Sequence, residues 1–299
     1  MVEPAAATGT QTRGVSDRAP GEARLHITYY TDPLCAWSWA LEPQWRLLQY
    51  VLGDQLDFCY CMGGMISDWN RYNDPLNDVS RPVQMGPLWY QVRAISGMPI
   101  NDRIWFANAP TSSYPACTAV KGAELQGEAF GRHYLRLLRE AVMIEGQNIA
   151  QPEVQCRVAT ALACRVAGFD AARFQRDLGA PPARDRFRDD LKDVRWREIG
   201  RFPTMILRAA DRAIMIVGYR PYGALLEAVQ HVVPEISPQE LPDPVSYIQH
   251  WGHLTTREVA ECMQQPVAET EAALAELAEA GKLKRRPLSR MHQSIWSVP

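Results

Sequence analysis

Residues 31–43 read Thr-Asp-Pro-Leu-Cys-Ala-Trp-Ser-Trp-Ala-Leu-Glu-Pro and stand between two unlike patterns. Upstream, Leu25–Tyr30 (LHITYY) is short and rich in β-branched and aromatic residues, which is a strand signal closed by the turn residues Thr31, Asp32 and Pro33. Downstream, Leu41, Trp45, Leu48 and Leu52 recur at helical spacing, so a helix is predicted from about Trp37 to Leu52. Pro43 predicts a kink in it, because proline lacks the N–H that the helix ladder needs. Gly53 and Asp54 end the helix, and Leu56–Met62 (LDFCYCM) forms a second strand closed by Gly63 and Gly64. Strand, helix and strand in this order make a βαβ unit with a right-handed crossover.

Further along, residues 66–112 carry many Asn, Asp, Pro and Trp residues and little periodicity, so they read as irregular. From Tyr114 to about Arg195 the pattern turns helical. Phe130, Tyr134, Leu137, Leu138 and Ala141 make one apolar stripe, and Val154, Val158, Leu162 and Val166 make another. Strand signals return at Thr204–Leu207, just after Pro203, and at Ala213–Val217, with Ala210 and Asp211 as the turn. Tyr222–Val232 is a closing helix. The expected organisation is a disordered tail over 1–22 and an α/β domain over 23–232 with a helical insert at about 66–198. A proline-rich linker over 233–244 and a small domain over 245–299 complete it.

The chain has 299 residues, of which 46% are apolar, with 32 basic and 34 acidic side chains and a formal charge of −2. That apolar share can bury a core, and the near-neutral balance argues against binding a polyanion through bulk charge. Seven cysteines in so long a chain are too few for a disulfide scaffold, and an odd number cannot all pair internally. No secretory signal pattern opens the sequence and no run of 18 apolar residues occurs. The expectation is a cytoplasmic protein with mostly free thiols and no membrane partner.

Cys35 lies where the first strand meets the first helix. Unsatisfied N–H groups and the helix dipole at that point favour a thiolate, the nucleophile of disulfide exchange. The alternative for a lone cysteine is a small buried hydrophobe. Phe202-Pro203-Thr204 precedes the third strand, where a proline is tolerated because it cannot donate to the ladder. A cis Phe202–Pro203 bond would leave the Phe202 backbone free to bind an extended thiol-bearing substrate.

Taken together, TDPLCAWSWALEP at 31–43, the helical insert and GRFPTMIL at 200–207 resemble the DsbA-like branch of the thioredoxin superfamily. SSYPACTAVKGAELQG at 112–127 also resembles FrnE-type members and the YjbH/SpxH-type adaptor proteins. The resemblance implies a thioredoxin-like fold with a large helical insertion. It also implies Cys35 as nucleophile and Pro203 as a cis-proline facing it, with Phe202 beside it; Trp37, Phe202, Pro203 and Thr204 are the substrate-binding candidates. One position departs from the family: its second active-site cysteine is Ser38 here. A serine hydroxyl cannot form the S–S bond that resolves a mixed disulfide, although it can hydrogen-bond the Cys35 thiolate.

The expected activity is therefore that of a monothiol disulfide oxidoreductase or isomerase acting on protein thiols and disulfides. No tightly bound cofactor is expected; glutathione or another small thiol would be the co-substrate. Two alternatives are a non-catalytic adaptor holding a protein client in the old groove, and a glutathione-dependent transferase or isomerase of small electrophiles.

Trp39 and Trp45 fall at core spacing, whereas Trp37 lies on the loop-to-helix turn. Asp32 reads as a turn former, with electrostatic tuning of Cys35 as the alternative. Cys59 and Cys61 share a strand face without enough ligands for a metal site. Cys156 and Cys164 are too far apart on a helix to bridge. Cys117, at a helix start, is the second candidate for reactivity, and Cys262 reads as buried. His250 and His253 could share a helix face but lack metal partners.

In the tail, Thr255–Met263 and Pro266–Ala280 read as helices and Lys282–Pro299 as a hairpin, a winged-helix-like pattern. Its second helix carries Glu269, Glu271, Glu276 and Glu279, so nucleic acid is an unlikely partner. Lys282, Lys284, Arg285, Arg286 and Arg290 lie in the hairpin, and a protein-contact or homodimer module is the expected role.

Overall fold

The computed structural model describes residues 25–288, 291 and 293–299. The tail expected at 1–22 and Arg290 fall outside them. Strand β1 (Leu25–Thr31) alternates as a half-buried strand must, and Leu25, Ile27 and Tyr29 enter one core while Tyr30 enters the opposite one. Two helices follow, α1 (Ala36–Ala40) and α2 (Glu42–Leu52), broken at Leu41 with Pro43 in the first turn of α2. The kink expected at Pro43 is thus a full break two residues earlier. Proline is accommodated in a first turn, where its missing N–H would have had no helical partner.

Strand β2 (Leu56–Met62) runs parallel to β1, and β3 (Thr204–Ala209) and β4 (Arg212–Val217) extend the sheet antiparallel in the order β2-β1-β3-β4. Between β2 and β3 lies a helical insert: α3 (Met85–Ser96), α4 (Ile104–Ala107), α5 (Tyr114–Glu124), α6 (Glu128–Met143), α7 (Pro152–Ala163), α8 (Ala171–Asp177) and α9 (Pro181–Trp196). This is a thioredoxin-like α/β fold with a large helical insertion. Residues 66–112 are not uniformly irregular, since α3 and α4 lie within them. Gly86 and Pro87 in its first turn disguise α3, yet Met85, Trp89 and Val92 bury a helical stripe. The insert is fastened to the sheet by Lys121, whose buried ammonium contacts Asp190 at 2.8 Å and donates to Glu124 and to the Tyr60 carbonyl. Asp190 in turn accepts from the Met62 N–H at 2.8 Å, which fixes the end of β2.

After α10 (Tyr222–Val232), the proline-rich segment packs along the protein. Val233 and Ile236 are buried, and the Gln239 N–H donates to the Val51 carbonyl at 2.7 Å. The remaining chain forms α11 (Pro244–Trp251), β5 (His253–Thr255), α12 (Thr256–Met263), α13 (Val267–Glu279), β6 (Lys284–Leu288) and β7 (Gln293–Ser297). Its three strands pair antiparallel in the order β5-β7-β6. The two expected helices and hairpin are present, preceded by α11 and β5, which the linker-like composition concealed. His250 ends up on α11 and His253 on β5, so they do not share a helix. Thr255 caps α12 and exchanges hydrogen bonds with Glu258 in a capping box. In the hairpin, Arg285 pairs with Glu271 and Arg286 with Glu145 of the insert, both at 2.8 Å.

No boundary separates this last portion from the sheet. Tyr247, Leu254, Val259, Leu274 and Trp296 share one buried cluster with Leu48 and Val51 of α2 and Leu225 and Val229 of α10. A charged network crosses the same joint. Arg136 grips Glu258 with two hydrogen bonds, at 2.6 and 2.9 Å, and also bonds Glu140. Arg139 bonds Glu42 and the Thr31 hydroxyl, and Glu140 meets His253 at 2.8 Å. Glu42, Arg46, Arg136, Arg139 and Glu258 are all buried. Despite their burial, Arg136 with His253 holds the Glu140 carboxyl, and Arg136 with Arg46 the Glu258 carboxyl, below the usual carboxylate range. Among the described residues, no helix is long and apolar enough to cross a membrane, and no group of three or more His, Cys, Asp and Glu side chains is placed to hold a metal ion.

Candidate functional site

The turn after β1 is built on Asp32. Its buried carboxylate accepts from the N–H groups of Leu34 and Met65 and from the Ser113 hydroxyl, at 2.7 to 2.9 Å, and the Cys117 thiol lies 3.4 Å away. Asp32 thus ties together three segments remote in sequence, a larger role than turn former. Cys117 is accounted for by the same contact. It is wholly buried, and burial with the Asp32 charge pushes its thiol well above the ordinary range.

Cys35 caps α1: its backbone is extended, and its sulfur accepts from the Ser38 N–H at 3.4 Å. The thiol also lies 3.5 Å from the carbonyl oxygen of Phe202. The Phe202–Pro203 peptide is cis. Pro203 is anchored by its carbonyl, which accepts from the Gly218 N–H at 2.7 Å, and the Thr204 hydroxyl closes the loop onto the Arg201 carbonyl at 2.8 Å. The structure therefore brings Cys35, Ser38, Phe202 and Pro203 together. Thr204 is 1% exposed, so it braces the loop from behind and offers almost no surface to a ligand.

The expected thiolate does not follow from this geometry. Cys35 is only 4% exposed, and burial raises its pKa above 9.0. The Ser38 hydroxyl and N–H and the positive Arg139 pull in the other direction, but desolvation is the largest influence and Asp32 adds to it. A helix start stabilises charge only as far as the surroundings let the charge be solvated. Alkylation checks this directly. With iodoacetamide, Cys35 is expected to react more slowly than an ordinary thiol at pH 6–8, and its rate is expected to rise steadily with pH across that range. Cys164 is exposed and should label first, as read by peptide mass spectrometry. All seven cysteines are free, and burial also pushes the thiols of Cys59, Cys61 and Cys156 up and that of Cys262 up to about 12.

Around Cys35 opens a groove of about 840 Å³. One wall is α3 with Leu88 and Ile95, another is the loop carrying Tyr72 and Leu76, and Phe202 and Tyr219 face them. Trp37 is half-buried and packs against Tyr219, with ring centres 6.0 Å apart, whereas Trp39 and Trp45 are buried core residues. Leu76 is 68% exposed and Ile95 is 56% exposed, so the rim presents apolar side chains to solvent. Cys35 is the one thiol lining the groove among the described residues.

Sequence reasoning missed Gly63. A Cβ built there would sit 2.0 Å from Cζ of Phe202, so the ring occupies the space that only glycine leaves open. The Gly63-Gly64 doublet carried the signal, but it read simply as the end of a strand. Tyr219 was also missed; its hydroxyl accepts from Gln44, which in turn donates to Glu261 of α12.

With the groove described, comparison with known proteins places the chain. A family model described as thioredoxin matches residues 29–227. The chain belongs to the thioredoxin family. It is similar to proteins named ClpXP adapter protein SpxH. The one from Halalkalibacterium halodurans is 26% identical over 270 residues, covering 88% of this chain and 86% of that protein. The one from Bacillus subtilis is 24% identical over 278 residues, covering 91% and 88%. Among solved structures, a putative protein disulfide isomerase from Nitrosomonas europaea superposes with a TM-score of 0.55 at 20% identity, covering 71% of this chain and 96% of that one. The cytosolic disulfide reductase DsbM from Pseudomonas aeruginosa gives 0.53 at 22% identity, covering 70% and all of that chain. The structural likenesses bear out the DsbA-like thioredoxin fold. The likeness to the SpxH proteins extends beyond that fold over most of the chain.

Proposed function

We propose that this protein is an adaptor that holds an apolar segment of a client protein in the groove over Cys35 and serves ClpXP, as the name of its relatives states of them. The carrying observation is the groove itself: an exposed apolar rim over a single buried thiol whose neighbour in the motif is Ser38. Such a surface suits a side-chain anchor better than a dithiol exchange. The last portion of the chain supports the groove from behind. Arg257 of α12 donates to the Ser96 carbonyl at the end of α3, and Gln293 of β7 donates to the Gly97 carbonyl.

Client capture tests this reading. Leu76→Asp combined with Ile95→Asp is expected to reduce co-purified client at least tenfold, measured by quantitative mass spectrometry, while Cys35→Ala leaves it unchanged. Loss of client from Cys35→Ala, together with a mixed disulfide trapped on Cys35 in the parent protein, would overturn it.

That outcome would favour the second reading, single-thiol exchange. The Ser38 N–H directed at the Cys35 sulfur supports it. Cys35 would attack a disulfide, form a mixed disulfide and release one thiol. Glutathione would then attack that bond, leave as the new mixed disulfide and return the Cys35 thiolate.

A further inference from the structure

A second cavity of about 830 Å³ opens where α2 and the insert meet the last portion of the chain. Its lining is unusually rich in cations: Arg46, Arg136, Arg165, Lys284, Arg285 and Arg286. Two acidic residues share that lining, and both are engaged, Glu140 by Arg136 and His253 and Glu145 by Arg286. Arg136 is likewise committed to Glu258, and Arg285 to Glu271. Arg165 and Lys284 are exposed and have no ion pair among the described residues.

Arg46 is the informative member. It is 7% exposed. Its Nε faces Glu42 and Glu258 at 3.4 and 3.5 Å, but its Nη1 has no hydrogen-bond partner. The guanidinium lies 4.6 Å over the ring of Trp251, which shares the cavity lining. A buried donor left unpaired is costly, and Nη1 of Arg46 calls for an acceptor. Burial lowers the pKa of His133 and His250, both on this lining, and the positive field of Arg46 adds to that effect.

We infer that this cavity binds the oxyanion group of a small polyanionic molecule, phosphate-bearing or polycarboxylate. The buried Arg46 guanidinium supplies the fork, and the exposed Arg165 and Lys284 on the same lining supply further positive charge. The volume falls in the range of small-molecule sites, and a planar guanidinium suits bidentate oxyanion recognition. Because the cavity lies between the insert and the last portion of the chain, an occupant bridges the two.

Isothermal titration of the full chain in 50 mM salt tests the site with pyrophosphate, ATP and citrate as separate probes. At least one is expected to bind with micromolar to low-millimolar affinity and to weaken several-fold in 300 mM salt. Pyrophosphate or ATP without citrate assigns a phosphate ligand, and citrate alone assigns a carboxylate one. Arg165→Glu with Lys284→Glu changes exposed residues, keeps the fold and should weaken binding at least tenfold. Arg46→Lys, which retains the charge but not the fork, should weaken it as well. Absence of binding by all three probes overturns the inference. So does binding that both variants leave unchanged, or binding of an acidic peptide in their place.

Discussion

Glu258→Ala is expected to lower the unfolding free energy by about 3–5 kcal/mol, the cost of removing one partner from a buried ion pair. Glu258 is fully buried and holds Arg136 by both carboxylate oxygens. It also closes the capping box of α12 by accepting from the Thr255 N–H at 2.8 Å. Its loss leaves Arg136 and Arg46 as incompletely compensated buried charges and removes the side-chain half of the α12 capping box. Urea unfolding followed by tryptophan fluorescence measures the change, and a loss under 1 kcal/mol would show that the network is dispensable. The pH dependence has a definite sign. Glu140 and Glu258 have pKa values below the unfolded 4.5, so their contribution is complete above that value and is lost as pH falls through the lowered folded values. Removing Glu258 should therefore flatten the acid limb of the stability profile.

Gly63→Ala is expected to disturb the groove more than any change at its rim. The new methyl group would overlap the Phe202 ring, with Cζ at 2.0 Å and both Cε atoms within 2.6 Å. The ring must leave its place beside the carbonyl that faces Cys35. A stability loss of about 1–3 kcal/mol fits an overpacked site. In a Phe202→Ala background the overlap vanishes, and the same substitution should cost almost nothing. A double-mutant cycle in urea reads the difference as coupling. Additive effects would mean that the two residues do not share this space.

Local pattern carried much of the fold. The βαβ opening, Thr204–Leu207 and the closing helix Tyr222–Val232 are legible because their periodicity and punctuation agree. Helix α3 is not, because Gly86 and Pro87 imitate a loop and its partners, Trp105 among them, are brought to it only by folding. The site was legible in its membership and not in its electrostatics. Cys35 and Pro203 stand out by position, but the pKa of Cys35 depends on the protein wrapped around it. That wrapping includes Asp32 and Arg139, which lies 108 residues from Thr31, the hydroxyl it bonds. The role of Asp32 escaped notice for the same reason, since its partners Met65, Ser113 and Cys117 are joined to it by tertiary structure alone.

Cutting the chain after Val232 would not release a free-standing thioredoxin unit. It would strip the cover from Leu48, Val51 and Val229 and leave Arg136 facing water-starved carboxylates without Glu258. The two portions are therefore packed as one piece. Exchange of the last 60 or so residues between relatives is tolerable only if Glu42, Arg46, Arg136 and Glu258 travel as a matched set, and sequence drift at one of these positions should be answered at another.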